Sequence, residues 1–457
     1  MKNLIFLTIS TGWVFFTTEN NLMATQAYCP IPTHTTGTEK SSDTLNVKDF
    51  TLKDGQTVWY TSDAELDIIT VGLCFQYAGN QSDPKDKPGL SEFLTAMLDE
   101  GAGPYDSQAF KKKLIEKNIH MSISSNHDSI VIVFRTVSAN INDAFQLIKL
   151  ALIEPSFSND AHTRVGQEIT AALMQSLYKP EVHAKEKMLS SILGEEHVYA
   201  KDTKKQLQAL PTITTADLAQ HLKNTLTQAN LKIAAAGNIE EPVLKKCLED
   251  LTSALPKGEK REQTTNGTLK NPGEIIHETM DIPQTIVMFA HPGIDRKDPD
   301  FYAAYLLVQA LGGNAFESRL WKEIREKRGL SYYISLGLFN HQLQYGMLGV
   351  TGTKTASVQE VIRLIKEQWQ DVATNSITEA ELSIQKQFII ESYPLSFTKT
   401  SDIVKTLLSY QKEGLSKNYV NEREELFRKV SVADIKRVAK KLLKSNELTF
   451  LIVGKKE

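Results

Sequence analysis

The sequence predicts an α+β fold made as a tandem duplication: two similar domains, each a mostly antiparallel sheet with helices packed on it. Three observations carry this. Hairpin signals such as Asp54-Gly55 and Asn126-His127-Asp128 join β-rich runs, and tight hairpins require antiparallel pairing. Helical spacing of apolar residues alternates with those runs. Short segments recur at one constant offset. Leu147-Ile148-Lys149 returns as Leu364-Ile365-Lys366, Ala216-Asp217-Leu218 as Ala433-Asp434-Ile435, and Leu231 and Gly237 as Leu448 and Gly454, each 217 residues on. Three matches in one order at one offset indicate an internal repeat.

The first half opens with Phe50 and Leu52, the Asp54-Gly55 turn and Thr57 to Tyr60, all read as strand and hairpin. Ile68 to Tyr77 is a further apolar strand. From Pro88 to Leu98 the residues Leu90, Phe93, Leu94, Met97 and Leu98 fall on one helical face. His120 to Ser124 and Ser129 to Val137 are strands around the second hairpin signal. Helices follow from about Asn140 to Tyr178, and Leu231 to Ala236 closes the half as a strand. The second half repeats the scheme and ends in the strand Leu448 to Val453. The expected divisions are residues 1–27 as a signal peptide, 42–255 as the first domain, 256–271 as a polar, turn-rich linker, and 272–457 as the second domain.

Composition narrows the functional classes. The chain has 457 residues, room for two to four domains at roughly 150 residues each. With 41% hydrophobic and 23% charged residues it is neither disordered nor a membrane bundle. Its 52 Lys and Arg against 55 Asp and Glu leave a net charge of −3, which argues against a nucleic-acid partner. Cys29, Cys74 and Cys247 form no CxxC pair, and no two of the ten histidines lie four apart. Lys2 followed by the apolar run Leu4 to Phe16, with Thr25 and Ala27 before a cleavage at Tyr28, reads as an export signal too short to span a bilayer. An uncleaved anchor is the rival reading. Gln26-Ala27-Tyr28 before Cys29 does not suit lipid attachment. No later stretch is apolar enough to span a membrane, and the expected location is exported, in the periplasm.

Two stretches resemble the pitrilysin, insulin-degrading enzyme and mitochondrial processing peptidase family of inverted-zincin metallopeptidases, in its bacterial short-chain form. One is Gly89-Leu90-Ser91-Glu92-Phe93-Leu94-Thr95-Ala96-Met97-Leu98. The other is Leu311-Gly312-Gly313, Ser318-Arg319-Leu320 and Glu323 through Tyr332. The resemblance covers about Asp43 to Gly454 and implies a tandem pair of similar α+β domains. In active members the first stretch carries H-x-x-E-H, whose histidines share a zinc while the Glu activates its water. Here the slots hold Glu92, Thr95 and Ala96, and Glu168 lies near the position implied for the third ligand. One carboxylate does not hold catalytic zinc, which needs about three protein ligands. The expectation is therefore no metal and no cofactor in this chain, and no hydrolysis by it alone. Residues 88–98 then read as an amphipathic core helix with Glu92 and Thr95 on its polar side, against the alternative of a carboxylate metal site using Glu92 and Glu168.

The second stretch keeps its functional residues. The family implies an Arg and a Tyr seven residues apart that contact substrate and stabilise the oxyanion, a spacing met by Arg325 and Tyr332. A guanidinium and a phenol both donate to developing negative charge. The structural alternatives are a surface ion pair of Arg325 with Glu323 or Glu326, and Arg328 in its place. Lys111-Lys112-Lys113 reads as a solvated face, Cys74 as a small core hydrophobe, and His127 and His341 as ordinary polar residues, the latter on a strand. The functional expectation is a non-zinc subunit of an exported heterodimeric metallopeptidase. Its partner is a homologous chain carrying H-x-x-E-H and the zinc, and its substrate is a peptide or unfolded polypeptide. The rival is a catalytically inert peptide-binding or structural scaffold of the same fold.

Overall fold

A computed structural model describes residues 45–65, 67–260 and 267–455. The expected signal peptide and Cys29 lie outside the described residues. The first sheet comprises β1 (Lys48–Thr51), β2 (Thr57–Ser62), β3 (Ile68–Gln76), β6 (His120–Ser125), β7 (Ser129–Val137) and β8 (Leu231–Gly237) in the order β1-β2-β8-β3-β7-β6. Two short strands, β4 (Gly101–Ala102) and β5 (Tyr105–Asp106), pair separately. The second sheet comprises β9 (Ile275–Thr279), β10 (Thr285–Pro292), β11 (Ser331–Asn340), β12 (Tyr345–Thr353) and β13 (Thr449–Gly454) in the order β11-β12-β10-β13-β9. All pairings are antiparallel except β2 with β8 and β9 with β13.

The two orders are the same order. Reading β2-β8-β3-β7-β6 against β9-β13-β10-β12-β11 matches every neighbour and every direction, with β1 as an addition to the first sheet. The registers agree as well. Val58 faces Ile233, and 217 residues on Ile275 faces Phe450. The helices before the last strands begin alike. Thr214 and Asp217 form a capping box on Thr215–Thr225, and Ser431 and Asp434 form its counterpart on Val432–Leu442. Each box satisfies two backbone N–H groups that the first helical turn leaves unpaired.

Each sheet buries one face under helices of its own half and the other under a helix of the opposite half. Side chains alternate between the faces of a strand. Val58, Leu73, Ile233 and Ala235 therefore join the first half's core, while Trp59, Cys74, Ala234 and Ala236 meet Ile403, Val404, Leu407 and Leu408 of helix Thr400–Lys412. Reciprocally, Ile286, Met288, Leu451 and Val453 meet Ala184, Met188 and Ile192 of helix Pro180–Leu193. Fully burying a Leu, Ile, Val or Met contributes roughly 1.5–3 kcal/mol, so the two halves are welded by several such residues each way. Gly72 makes one contact possible: a Cβ there would lie 2.4 Å from Val404 and 2.7 Å from Leu408.

Several expectations change in detail. The strand from Ile68 stops at Gln76 because Tyr77 takes φ 60°, the left-handed region. His341 sits in the turn between β11 and β12, and its ring packs 5.0 Å from Tyr199 and 5.7 Å from His127. Lys111 is not simply solvated: it donates to the buried Glu100 carboxylate at 2.5 Å. The described part of the linker is mostly exposed and is tied down at two places: the Pro256 and Lys257 carbonyls accept from the Gln228 and Ala229 N–H groups, and Leu269 is buried against the second sheet.

Candidate functional site

The helix carrying the degenerate motif spans Leu90–Met97 and buries Leu90, Phe93, Leu94 and Met97. Its start is held from outside the helix. Gly89 takes φ 93°, and the buried Asp83 carboxylate accepts the Gly89 and Ser91 N–H groups at 2.8 Å each and the Ser91 hydroxyl at 2.5 Å. The Ser91 hydroxyl also meets Nε2 of buried His221 at 2.9 Å. Burial raises the Asp83 carboxyl to about 6, against the pull of its hydrogen bonds from Ser91 and Gly89. Sequence reading missed Asp83, which lies in the loop six residues before Gly89, and His221, which reaches Ser91 from 130 residues further along the chain.

The motif slots are occupied by satisfied groups. Glu92 is paired with Lys201 at 3.2 Å. The Thr95 hydroxyl, buried rather than on a polar side, donates to the Glu92 carbonyl at 2.8 Å. Ala96 has no donor. Glu168, the residue near the third-ligand position, is paired with Arg164 at 3.0 Å. Arg164 bridges onward to Glu100, which also accepts from Ser107 and Lys111. Burial alone would raise Glu100, but Lys111, Ser107 and Arg164 together hold it below the usual carboxylate range. Lys201, Arg164 and Lys111 thus supply the positive charge that these carboxylates face. The donor set does not fit zinc: two separate carboxylates, each already bound to a cation, offer no three-ligand arrangement. Among the described residues no group of three His, Cys, Asp or Glu could hold a metal ion.

The second stretch is constructed differently. Trp321–Glu326 is a π-helical turn, a form that recurs at functional sites. It stops at Gly329 in the left-handed conformation (φ 62°), after which β11 begins. Between Ser331 and Ile334 the pairing with β12 shifts register, a bulge that places two residues against one. Hydroxyls pin it: Thr351 donates to the Tyr333 carbonyl at 2.7 Å, Thr353 to the Leu330 carbonyl at 2.6 Å, and Ser331 contacts Thr351 at 2.7 Å. The bulge leaves Tyr332 58% exposed. Tyr333 beside it is half-buried, and burial pushes its phenol up to about 12.

Tyr332 and Arg325 meet. The Arg325 guanidinium lies over the Trp321 ring at 4.0 Å and over the Tyr332 ring at 4.5 Å. Neither ion pair considered from the sequence forms. Glu323 is taken by Lys327 and Arg328, and among the described residues Arg325 faces no carboxylate. Arg328, the rival for the role, is committed to the Glu323 carboxylate and to its carbonyl at 3.0 Å. Trp321 was not singled out from the sequence, although its place one helical turn before Arg325 was a usable signal. Gly312 serves packing, since a Cβ there would lie 2.8 Å from Leu336 and 2.9 Å from Leu320.

Comparison with known proteins agrees with this architecture. The family profile described as Insulinase (Peptidase family M16) matches residues 57–205, and that described as Peptidase M16 inactive domain matches residues 212–388. The chain is 24% identical over 412 residues to the non-peptidase homolog YmxG of Helicobacter pylori, covering 88% of this chain and 92% of that one. It is 22% identical to the mitochondrial-processing peptidase subunit beta of Blastocladiella emersonii, over 88% and 87% of the two chains. The crystal structure of a peptidase M16 inactive domain from Pseudomonas fluorescens superposes with a TM-score of 0.83 at 25% identity, over 90% of this chain and 98% of that one. Two matched halves, a repeated sheet order and a motif helix with Glu92, Thr95 and Ala96 in the slots lead to one assignment: the chain belongs to the peptidase M16 family, as a member without its zinc-binding motif.

Proposed function

We propose that this chain is the non-zinc subunit of an exported two-chain M16 peptidase. In this reading it supplies Arg325 and Tyr332 to bind a polypeptide substrate and to stabilise the oxyanion formed at the partner's zinc. The observation that carries the reading is the contrast in charge pairing. Glu92, Glu168 and Glu100 near the lost motif are each bound to a cation, while Arg325 is held over two aromatic rings and, among the described residues, faces no carboxylate. A guanidinium kept in that state is available to a carbonyl that gains negative charge. The partner is a homologous chain with an intact H-x-x-E-H, and zinc belongs to that chain. Residues 42–255 and 272–457, joined by 256–271, act in this reading as two domains of one rigid unit, because each donates a helix to the other's sheet. Export rests on the N-terminal sequence, Lys2 followed by the apolar run to Phe16.

A second reading, an inert peptide-binding or structural scaffold, is favoured by the likeness to a chain named as a non-peptidase homolog. One experiment separates the two. The chain is co-purified with a homologue from the same genome that carries H-x-x-E-H, and cleavage of an unfolded polypeptide is measured with wild-type and Arg325→Ala chains. Turnover that needs this chain and falls with the substitution supports the subunit reading. Turnover by the zinc-bearing homologue alone, indifferent to Arg325, leaves the scaffold.

A further inference from the structure

Phe316 is a bulky residue in a backbone conformation that suits glycine. It takes φ 76°, and its side chain leaves the residue 67% exposed. Phe157 also takes a positive φ, 41°, but its ring packs against the first half's core. There, burial offsets the strained backbone. The Phe316 ring meets Trp321 edge-on, with ring centres 4.8 Å apart and planes at 62°, and most of it stays in water.

The loop that carries Phe316 is fixed at both ends. Two π-helical turns, Gln309–Gly313 and Trp321–Glu326, flank it. Buried Asn314 donates its N–H to the Gln309 carbonyl at 3.0 Å and its side-chain amide to Gln385 at 3.0 Å. Buried Ser318 donates its N–H to the Asn314 carbonyl at 3.0 Å, and Glu317 is paired with Lys322 at 2.8 Å. Backbone strain held in place by its surroundings collects where a chain contacts ligands.

Phe316 also ends a row of stacked groups. Its ring touches Trp321, the Arg325 guanidinium lies over Trp321 at 4.0 Å, and the same guanidinium lies over Tyr332 at 4.5 Å. Trp321 in the middle is 8% exposed, whereas Tyr332 at the far end is 58% exposed. Both being against Trp321, the Phe316 ring and the guanidinium lie within about 10 Å of each other, the span of about three residues of extended chain.

We infer that Phe316 determines specificity: its ring holds an aromatic or large aliphatic side chain of the polypeptide whose carbonyl Arg325 engages. The inference rests on the reading of Arg325 as a substrate-binding residue and adds a side-chain preference to it. A side chain one or two residues from the bound carbonyl reaches the ring. Edge-on or offset contact between the two buries apolar area on both. Such a side chain takes Phe316 out of water, the compensation that Phe157 has from its own core.

The test uses the full-length chain and short unstructured peptides of Gly, Ser and Gln with one central Phe, Leu or Ala. Each is labelled and titrated by fluorescence anisotropy. The Phe peptide is expected to bind about tenfold more tightly than the Ala peptide, with Leu between them. Phe316→Ala and Phe316→Gly are expected to bring that ratio close to one and to leave the Ala peptide's affinity unchanged. Phe316→Gly adopts the positive φ without strain, so its melting temperature serves as the folding control. Phe316→Tyr keeps a ring and keeps the ratio. Arg325→Ala weakens all three peptides alike and leaves the ratio standing. Absence of saturable binding by the Phe peptide, or an unchanged ratio in Phe316→Gly, overturns the inference. So does an equal loss for all three peptides in Phe316→Gly, which would make Phe316 a prop for Trp321. Affinities indifferent to Arg325→Ala, with the ratio still erased by Phe316→Gly, refute the role given to Arg325 and support the one given to Phe316.

Discussion

The motif helix Leu90–Met97 packs beside the edge strand β6, and the segment Trp321–Tyr332 runs into the edge strand β11, yet the two treat charge in opposite ways. Around the first, Glu92, Glu168 and Glu100 are matched to Lys201, Arg164 and Lys111. Around the second, Glu323 draws in Lys327 and Arg328 while Arg325 is left over two rings. A carboxylate cluster without a metal is costly unless other cations approach it. Internal pairing is what remains when a site no longer needs its charges for a ligand. In the function proposed above, a guanidinium that faces no carboxylate among the described residues, positioned by a π-turn and a pinned bulge, is what a site keeps when it still binds a ligand.

The largest effect that tests this contrast is on turnover. In the reconstituted two-chain enzyme, Arg325→Ala or Tyr332→Phe is expected to lower kcat by about 10²–10³, with little change in melting temperature, because neither group anchors the core. A parallel loss of stability would place Arg325 with the structural residues instead.

The motif helix should answer in the opposite sense. Asp83→Ala removes the acceptor of two backbone N–H groups and the Ser91 hydroxyl inside the protein. It is expected to cost on the order of 2–4 kcal/mol in chemical denaturation. A variant as stable as wild type would show that the helix start does not depend on Asp83.

The hairpin turns of the two halves offer a third measurement. Asp128 accepts from the Tyr199 hydroxyl at 2.5 Å and from the Gln342 N–H at 3.2 Å, and His127 lies beside Tyr199 and His341. Burial, then the nearby His341 and Lys185, lowers the His127 imidazole to about 3. A histidine lowered on folding contributes full stability above its unfolded value near 6.5. That contribution is lost as the pH falls from there toward 3. Wild type is expected to lose on the order of 1–2 kcal/mol between pH 7.5 and pH 5 through this ring, and His127→Gln to lose correspondingly less. Equal losses in the two proteins would assign the acid sensitivity elsewhere.

The smallest effect is at Glu92. Its pair with Lys201 is part-exposed, so Glu92→Ala is expected to change stability by no more than about 1 kcal/mol. Metal analysis should give the same result for variant and wild type. About one zinc per wild-type chain, lost in Glu92→Ala, would overturn the reading of the motif helix.

Much of this was legible from local signals. Alternating apolar runs located β7 at Ser129–Val137, and helical spacing around Phe93, Leu94 and Met97 located the motif helix to within two residues. The offset of 217 anticipated that β8 and β13 hold the same place in their sheets. The spacing of Arg325 and Tyr332 named two residues that do meet. The groups that neutralise the carboxylates around the lost motif were not legible, since Lys201 meets Glu92, and Arg164 meets Glu100, only through the fold. The bulge that turns Tyr332 outward depends on hydroxyls of Thr351 and Thr353 on the neighbouring strand.

The sequence by itself determined the class of each element, the repeat, and the absence of histidine from the motif slots, because periodicity, capping and side-chain identity are properties of neighbouring residues. Only the tertiary structure decided which face of each sheet meets which helix. Both faces of β8 are apolar, and nothing along the strand distinguishes the side that takes its own half's helices from the side that takes Thr400–Lys412. That choice follows from where the chain returns in space. Local propensity sets the pieces, whereas burial of apolar area is indifferent to chain order and is settled only when all the pieces are present.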